Sequence, residues 1–188
     1  MQNAVPKGEG GMVAVLGSEI NKINDMIKNN YANFQCYIAN DNTVGQLVIS
    51  GKLTSLEKFC ELLKKNNIKF IKLPVSAPFH CPLMKKATDE MKFRINKTNF
   101  ISPFVEIISN VTAKPHSDAN EIKDLLIQQI ENPVRWRESI ENMIDDGVDC
   151  FIEIGPGKIL SGLIKRINRN VKINQVNNLE DIKNILNV

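Results

Sequence analysis

The sequence is poor in the side chains that most often bind metal ions. It contains only two histidines, His80 and His116, so a multi-histidine metal centre is excluded. Its cysteines never approach the Cys-x-x-Cys spacing of metal and redox sites, and each lies among apolar neighbours. We therefore expect four buried free thiols, at Cys36, Cys60, Cys81 and Cys150. Any catalysis by an imidazole has to use one of the two histidines.

Long apolar runs and a strong excess of one charge are also missing. The longest apolar runs, such as 12–16, are far shorter than the roughly 20 residues of a membrane span, and no signal-peptide pattern opens the chain. The chain has 24 Lys and Arg against 21 Asp and Glu, so its net charge of +3 does not indicate a nucleic-acid-binding surface. Its 188 residues are 43% apolar, enough for a core without disulfides or metals. These features predict a cytoplasmic globular protein with neither a nucleic-acid nor a membrane partner.

The first part of the chain has the element order β-α-β-β-α-β. Strands are expected at four places: 12–16, 34–39, 46–50 and 69–73. Ser18 is the expected N-cap of the first helix, and Thr54 with Glu57 three residues later predicts a capping box for the second. Residues 40–45 have the composition of a turn. This order is typical of a ferredoxin-like split unit. The eleven glycine-rich residues before it are expected to form a lead-in segment.

The rest of the chain alternates helices and strands, which indicates an α/β arrangement. Helices are expected near 82–96, 121–130, 133–146 and 178–186, and strands near 105–109, 149–154 and 171–176. Asn132 and Pro133 predict the start of the third of these helices, and Gly147 its end. One further helix follows Gly157, with an apolar face expected to point inward, formed by Ile159, Leu160, Leu163, Ile164 and Ile167.

His80 is the strongest candidate for a catalytic residue. It lies between a predicted strand and a predicted helix, and Pro78 and Pro82 restrict the backbone on either side. Such a junction aims a side chain at a cleft, although a histidine there can equally satisfy the free groups at a helix end. His116 lies in a Lys-Pro-His-Ser-Asp stretch and is expected to be a solvent-exposed loop residue.

Two other features allow either a structural or a functional interpretation. Gln129 is in register with the apolar face of its predicted helix, so its amide either ties helix to loop or orients a histidine. The stretch 155–158, Gly-Pro-Gly-Lys, precedes a helix and could bind an anion. The Walker pattern is absent, however, and a tight strand-to-helix turn explains the glycines better.

Polar pairs near the first hairpin and after His80 also leave two interpretations open. Asn40 and Asn42 are either turn formers or amides presented to a ligand. Lys85 and Lys86, one turn beyond His80, either form a solvated helix face or attract an acidic partner.

Five motifs in order carry a resemblance to a known family. They are Asn40-x-Asn42-x-x-Gly45-Gln46-x-Val48-Ile49-x-Gly51, Ser76-x-Pro78-Phe79-His80-x-Pro82-Leu83-Met84, Ser109-Asn110-Val111, Gln129-x-x-x-Asn132-Pro133-Val134-x-Trp136 and Glu153-x-Gly155-Pro156-Gly157-Lys158-x-Leu160-x-Gly162-Leu163. Together they resemble malonyl-CoA:acyl carrier protein transacylase over essentially the whole chain. The resemblance implies a ferredoxin-like small subdomain at 12–74 after a lead-in at 1–11. It also implies that 75–188 form the C-terminal part of a larger, α/β-hydrolase-like acyltransferase subdomain.

The resemblance implies transfer of a malonyl group from coenzyme A to acyl carrier protein in fatty acid biosynthesis, through an acyl-serine intermediate. His80 would be the base, and the backbone carbonyl of Gln129 would hold it. Asn110 matches a position close to the site. Asn40 and Asn42 would lie near the substrate. Lys85 and Lys86 would contact the carrier protein, and neither a cofactor nor a metal ion is implied.

One departure from the family is large, because none of the serines lies in a Gly-x-Ser-x-Gly nucleophile elbow. The family's oxyanion loop and its malonyl-binding arginine would also lie upstream of Met1. Losing the serine of a Ser-His unit costs about a millionfold in kcat where this was measured. We therefore expect a fragment or half of a split enzyme that is inactive without a separate N-terminal segment.

Two further expectations follow. The alternative to an enzyme is a noncatalytic module that binds acyl carrier protein through its ferredoxin-like unit and basic residues, among them Lys85, Lys86, Lys165 and Arg166. Strands that lack their partners would leave sheet edges unpaired and apolar faces exposed.

Overall fold

The computed structural model describes residues 5–6 and 8–186. Its first part contains β1 (Gly10–Leu16), α1 (Ile20–Asn29), β2 (Cys36–Thr43), β3 (Gln46–Lys52), α2 (Leu53–Lys65) and β4 (Lys69–Lys72). The four strands form one sheet in the order β2-β3-β1-β4, with every neighbouring pair antiparallel. The predicted β-α-β-β-α-β order is confirmed, and β1 begins two residues before the expected position.

The core of this part lies between the sheet and its two helices. Val13 and Val15 alternate along β1 toward the helices, and Phe59 and Leu63 face them from α2 at a one-turn spacing. All four side chains are at most 1% exposed. The rings of Phe34 and Phe59 pack at 5.6 Å between centroids. The helical and strand periodicities of the sequence therefore meet in one apolar layer.

The hairpin between β2 and β3 differs from the prediction. β2 continues through Asn40 and Asn42 to Thr43, so residues 40–43 are strand rather than turn. The turn is reduced to Val44 and Gly45, and Gly45 has a φ of +75° that suits glycine. Tertiary pairing with β3 has overridden the turn preference of the asparagines.

The predicted caps of the first two helices are wrong. The N-cap of α1 is Glu19 rather than Ser18, and the N-cap of α2 is Lys52, so Thr54 lies inside the first turn. For α2 the reason is that β3 runs directly into the helix, which leaves no extended residue at Thr54 to act as a cap.

The second part begins with a short 3-10 turn (Pro82–Met84) that leads into α3 (Lys85–Lys97). It continues with β5 (Ile107–Ile108), β6 (Pro115–His116), α4 (Ala119–Gln128), α5 (Trp136–Asp145), β7 (Cys150–Ile154), α6 (Ile159–Ile167), β8 (Lys172–Val176) and α7 (Leu179–Leu186). β5 and β6 form a short antiparallel ladder. β7 and β8, which α6 connects, pair in parallel. The alternation of helices and strands is confirmed.

Two helix starts differ from the prediction in this part. α4 begins at Ala119, because the Asp118 carboxylate accepts hydrogen bonds from the N–H groups of Asn120 and Glu121 at 3.0 and 2.8 Å. α5 begins at Trp136 instead of Pro133, and its N-cap is Arg135 rather than Asn132. Residues just before it are held in extended form by hydrogen bonds to β2.

The expected exposed apolar faces are present. Within the described residues β7 pairs only with β8, and Ile154 at the end of β7 is 80% exposed. Ile159 and Leu160, predicted to point inward, are exposed, whereas Ile164 on the same helix is buried. None of the described helices is long and apolar enough to cross a membrane.

The cysteines also differ from the prediction. Cys36, Cys60 and Cys81 are buried free thiols, but Cys150 is exposed. Cys150 lies on the same face of β7 as the exposed Ile152 and Ile154, since alternate residues of a strand share a face. No group of three His, Cys, Asp or Glu side chains in the described residues could hold a metal ion.

Thiol labelling tests this distribution. Burial raises the pKa of the Cys36 thiol to about 12, so its thiolate fraction near pH 8 is only about one in ten thousand. With Ellman's reagent we expect one fast thiol in the native chain and four after unfolding in guanidinium. The Cys150→Ser variant should lose the fast phase, and a Cys60→Ser variant should keep it. Two or more fast thiols in the native wild-type chain would contradict this arrangement.

Candidate active site

His80 occupies an unusual backbone conformation. Its φ is +59°, a left-handed value that few residues other than glycine adopt. It follows β4 and precedes the 3-10 turn, and the Cys81 thiol donates a hydrogen bond to the Pro78 carbonyl at 3.1 Å across it. Ala77, Cys81 and Met84 are all fully buried and hold the chain on either side. Such conformations cluster at functional sites, where surrounding packing holds them in place.

A hydrogen bond fixes the tautomer of the His80 ring. Its Nδ1 lies 3.0 Å from the backbone carbonyl oxygen of Gln129. A carbonyl can only accept, so Nδ1 carries the proton and donates, which leaves a lone pair on Nε2. The side-chain Nε2 of Gln129 is also 3.4 Å from Nδ1, but a protonated Nδ1 cannot accept from it, and that amide donates to the Asn132 carbonyl at 2.9 Å. Nε2 is thus the ring atom that can accept a proton.

The carbonyl of Gln129 is available because of its place in the fold. Gln129 is the C-cap of α4, and the last carbonyl groups of a helix have no partner inside the helix. Its side chain closes the turn after the helix by bonding Asn132. The structure therefore brings Gln129 to His80 through the main chain, while the amide ties helix to loop.

His80 is half-buried and lines a cleft of about 260 Å³. The other walls come from α1, β2 and the segment after α4, and include Lys28, Tyr31, Tyr37 and Glu131. Burial, with the Tyr31 hydroxyl 3.4 Å away, raises the pKa of Tyr37 to about 12, so its hydroxyl is neutral. The cleft leaves open space beside the imidazole.

Asn110 lies in a different cavity from His80. With Ser109 and Gln129 it lines a mostly apolar space of about 120 Å³ between the β5–β6 hairpin and α4. Its carbonyl accepts a hydrogen bond from the Arg135 N–H at 3.0 Å. Gln129 lines this cavity and also contacts His80, which lines the other.

His116 is not the exposed loop residue that the sequence predicts. It belongs to β6, and its side chain is only 9% exposed. Its Nε2 is 2.7 Å from the Thr112 hydroxyl and its Nδ1 is 2.9 Å from the Glu121 carboxylate. These contacts tie the hairpin to the first turn of α4, which is why the ring is buried.

The predicted asparagines and lysines are not among the described residues that line the cleft beside His80. Asn40 and Asn42 are half-buried on β2, and Asn40 is bridged to Val134. Lys85 and Lys86 are exposed at the start of α3, and Lys85 forms an ion pair with Asp89.

The Gly-Pro-Gly-Lys stretch forms a turn at which the helix start is already occupied. Gly155 and Gly157 have φ of +137° and +94°. The Glu153 carboxylate accepts from the N–H groups of Leu160 and Ser161 at 3.1 and 2.8 Å, where an external anion would bind. The turn interpretation is therefore the one that the geometry favours.

A buried ion pair is the feature that the sequence reasoning missed. Arg137 donates from Nε and Nη2 to both carboxylate oxygens of Asp41, at 2.8 to 3.2 Å, and from Nη1 to Glu141 at 2.7 Å. Asp41 has 8% of its side chain exposed and Arg137 23%. The signal was the alternation of buried Ala39, Asp41 and Thr43 along β2, which the turn assignment hid.

Comparisons with known proteins identify the family of the chain. The family model for the acyl transferase domain matches residues 1–182. The chain belongs to the acyl transferase domain family. It is 42% identical over 187 residues to the malonyl CoA-acyl carrier protein transacylase of Bacillus subtilis (strain 168), a match that covers 97% of this chain and 58% of the relative.

Solved structures give the same result. The malonyl CoA-acyl carrier protein transacylase of Clostridium perfringens Atcc 13124 superimposes with a TM-score of 0.93 and 41% identity, covering 100% of this chain and 59% of that chain. A malonyl-transacylase in complex with its type II PKS acyl-carrier protein gives 0.92 and 34% identity, over 100% and 61%. The chain thus spans about three fifths of the length of these relatives.

The pH dependence of stability tests the contact at α6. Contacts from the Ser161 side chain and from the N–H groups of Ser161 and Leu160 lower the pKa of Glu153 from 4.5. Of these three groups, the two N–H donors make the well-formed hydrogen bonds. A carboxylate whose pKa is lower when folded adds stability above its unfolded pKa, and this is lost as the pH falls through the folded value. Glu153→Gln should therefore lower the Tm at about pH 7 and lower it less at about pH 3.

The matched control for this measurement is Glu61→Gln, which changes an exposed carboxylate on α2. We expect its Tm to stay close to that of the wild type at both pH values. An equal Tm loss for Glu153→Gln at both pH values would show that the carboxylate charge is not what stabilises the start of α6.

Proposed function

We propose that this chain supplies the general base and the carrier-facing surface of a malonyl-CoA:acyl carrier protein transacylase of fatty acid biosynthesis, acting in the cytoplasm. The observation that carries the proposal is the Nδ1 hydrogen bond of His80 to the Gln129 carbonyl, with Nε2 left free beside a cleft. Membership of the acyl transferase family and the names of the relatives support it.

The fold supports a division into two subdomains. The sheet order β2-β3-β1-β4 with two helices on one face fits a ferredoxin-like small subdomain at 12–74. The parallel β7-α6-β8 unit fits the C-terminal part of a hydrolase-like large subdomain at 75–188. His80 would then lie where the two subdomains meet.

In the proposed reaction the Nε2 atom of His80 takes the proton of a serine hydroxyl as its oxygen attacks the thioester carbonyl of malonyl-CoA. The C–S bond then breaks, the imidazolium returns the proton to the sulfur, and coenzyme A leaves from a malonyl-serine ester. In the second half the ring takes the proton of the phosphopantetheine thiol as its sulfur attacks the ester carbonyl. The C–O bond to serine then breaks, the imidazolium returns the proton to the serine oxygen, and the malonyl thioester of the carrier protein leaves. The Gln129 carbonyl stabilises the imidazolium in both halves.

None of the serines in the 188 residues lies in a Gly-x-Ser-x-Gly nucleophile elbow, so none of them has the sequence context of the reacting serine. We propose that a segment outside these residues supplies it, together with the group that binds the malonyl carboxylate. The amides of Asn40 and Asn42, and Asn110 beyond Gln129, would lie on the substrate side of the base.

A fusion experiment tests the proposed activity. The purified chain should transfer no radiolabelled malonyl group from coenzyme A to acyl carrier protein, because it lacks the nucleophile. Fusing to it the part of the Bacillus subtilis relative that the match does not cover should produce transfer. In the fusion, His80→Ala should lower kcat at least about a hundredfold, and His116→Gln should not.

Two results would contradict the proposal. Turnover by the unfused chain comparable to that of the fusion would show that the nucleophile lies within these residues. A fusion that is active regardless of His80 would show that this imidazole is not the base.

Binding of the carrier protein tests the role of the two lysines. Binding of the carrier protein to the chain should weaken as the salt concentration rises, because salt screens the attraction between exposed cations and an acidic partner. The double variant Lys85→Glu and Lys86→Glu should weaken binding at least about tenfold at low salt. The matched control, Lys64→Glu with Lys65→Glu at the exposed end of α2, should leave it unchanged.

An equal loss in both double variants would mean that only net charge matters and that α3 is not the docking surface. Binding without any acylation in the fusion would favour the noncatalytic carrier-binding module. The base geometry of His80 is the specific observation that favours the enzyme over that module.

A further inference from the structure

We propose that Asp41 and Arg137 are positioning residues for His80, a role that rests on the proposed function. In this proposal the ion pair clamps the segment between α4 and α5 against β2, and the segment presents the carbonyl that fixes the imidazole tautomer. The pair itself touches neither the ring nor a substrate.

The clamp joins two distant parts of the sequence. Arg137 lies in the first turn of α5, and Asp41 lies on β2, 96 residues earlier. The guanidinium engages both carboxylate oxygens, which fixes the relative orientation of the two elements more firmly than a single contact. Glu141, one turn further along α5, holds the remaining Nη1. Both ends of the pair are mostly withdrawn from solvent, so it is little screened by salt.

The same strand holds the segment by its backbone. The Val134 N–H donates to the Ala39 carbonyl at 2.8 Å, and the Val134 carbonyl accepts from the Asp41 N–H at 2.9 Å. Asp41 therefore contacts the region twice, through its main chain at Val134 and through its side chain at Arg137. Val134 cannot shift along β2 without breaking one of these contacts.

Only a short turn separates this anchor from His80. Gln129 ends α4, its amide bonds the Asn132 carbonyl at 2.9 Å, and Pro133 restricts the backbone before Val134. Among the described residues, Gln129 is the only one that hydrogen-bonds the His80 ring. The direction of that carbonyl, and with it the protonated nitrogen of the ring, thus depends on how the segment is anchored.

The position of Arg137 argues for a specific role over general helix stabilisation. A cation in the first turn of a helix is opposed by the helix dipole, which favours negative charge there. Arg137 lies in this first turn and forms ion pairs with two carboxylates, those of Asp41 and Glu141. A neutral or acidic residue at this position would stabilise an isolated helix more than an arginine does.

The test reads the tautomer directly, on the full chain and without any activity. The chain is labelled with ring-15N histidine, and long-range 1H–15N spectra are recorded at a pH where both rings are neutral. With only two histidines, each ring gives a separate pattern. In the wild type the unprotonated, downfield nitrogen of His80 should be Nε2. In Arg137→Met and Asp41→Asn it should shift toward averaging of the two tautomers, because free imidazole favours a proton on Nε2.

Controls separate positioning from loss of structure. His116 lies in the β5–β6 hairpin and is held by Thr112 and Glu121, so its pattern should stay constant in every folded variant. Arg166→Met, which removes an exposed guanidinium bonded to Gln46, should leave His80 unchanged. If Arg137→Met does not fold, Arg137→Lys serves, since it keeps the charge and loses the two-pronged contact. The exchange of Asp41→Arg with Arg137→Asp should restore the wild-type His80 pattern.

The inference is overturned if folded Arg137→Met and Arg137→Lys both keep the wild-type tautomer of His80. A tautomer that changes in these variants supports it even if the fusion proves inactive. The proposed function, in turn, would fail in the fusion assay while the wild-type tautomer remained as described, so the two failures are distinguishable.

Discussion

The hydrogen bond from Nδ1 of His80 to the Gln129 carbonyl is the contact on which the candidate site depends. An imidazole that is free to exchange tautomers presents a base on either nitrogen, and only a fixed one presents a lone pair in a constant direction. The fold produces this contact by ending α4 at Gln129 and by turning the chain sharply at His80. Both features belong to the backbone, so the side chain of Gln129 is left for a structural bond to Asn132.

The backbone conformation of His80 has a cost that neighbouring packing offsets. A left-handed φ in a residue with a side chain is unfavourable by roughly 1 to 3 kcal/mol. Burying the three apolar neighbours Ala77, Cys81 and Met84 stabilises the same segment by an amount of similar or larger size. The ring itself stays half-exposed beside the cleft. Packing of the buried neighbours therefore holds the strained backbone of His80 in place.

The sequence was sufficient for features that depend on local periodicity. Alternation along β1 and one-turn spacing in α2 predicted the first layer of the fold, and the two prolines around His80 predicted an aimed side chain. The failures occur where contacts outside the local pattern decide the outcome. Asn40 and Asn42 prefer turns when isolated, but pairing with β3 holds them in a strand. His116 was judged from its polar neighbours, and its burial follows from Thr112 and Glu121.

The same limit explains why the Asp41–Arg137 pair had no signal of its own. A buried charge is costly unless a partner is present, so neither residue could be assigned to the interior without knowing that the other lies 96 positions away. Once β2 continues through Asp41, its alternation places the carboxylate under α5, and the α5 start is delayed to Trp136 because Val134 is bonded to the strand. One misassigned turn thus accounts for three errors: the end of β2, the start of α5 and the missed ion pair. All three lie next to the segment that contacts His80, so the part of the candidate site least visible in the sequence is the part that adjoins the imidazole.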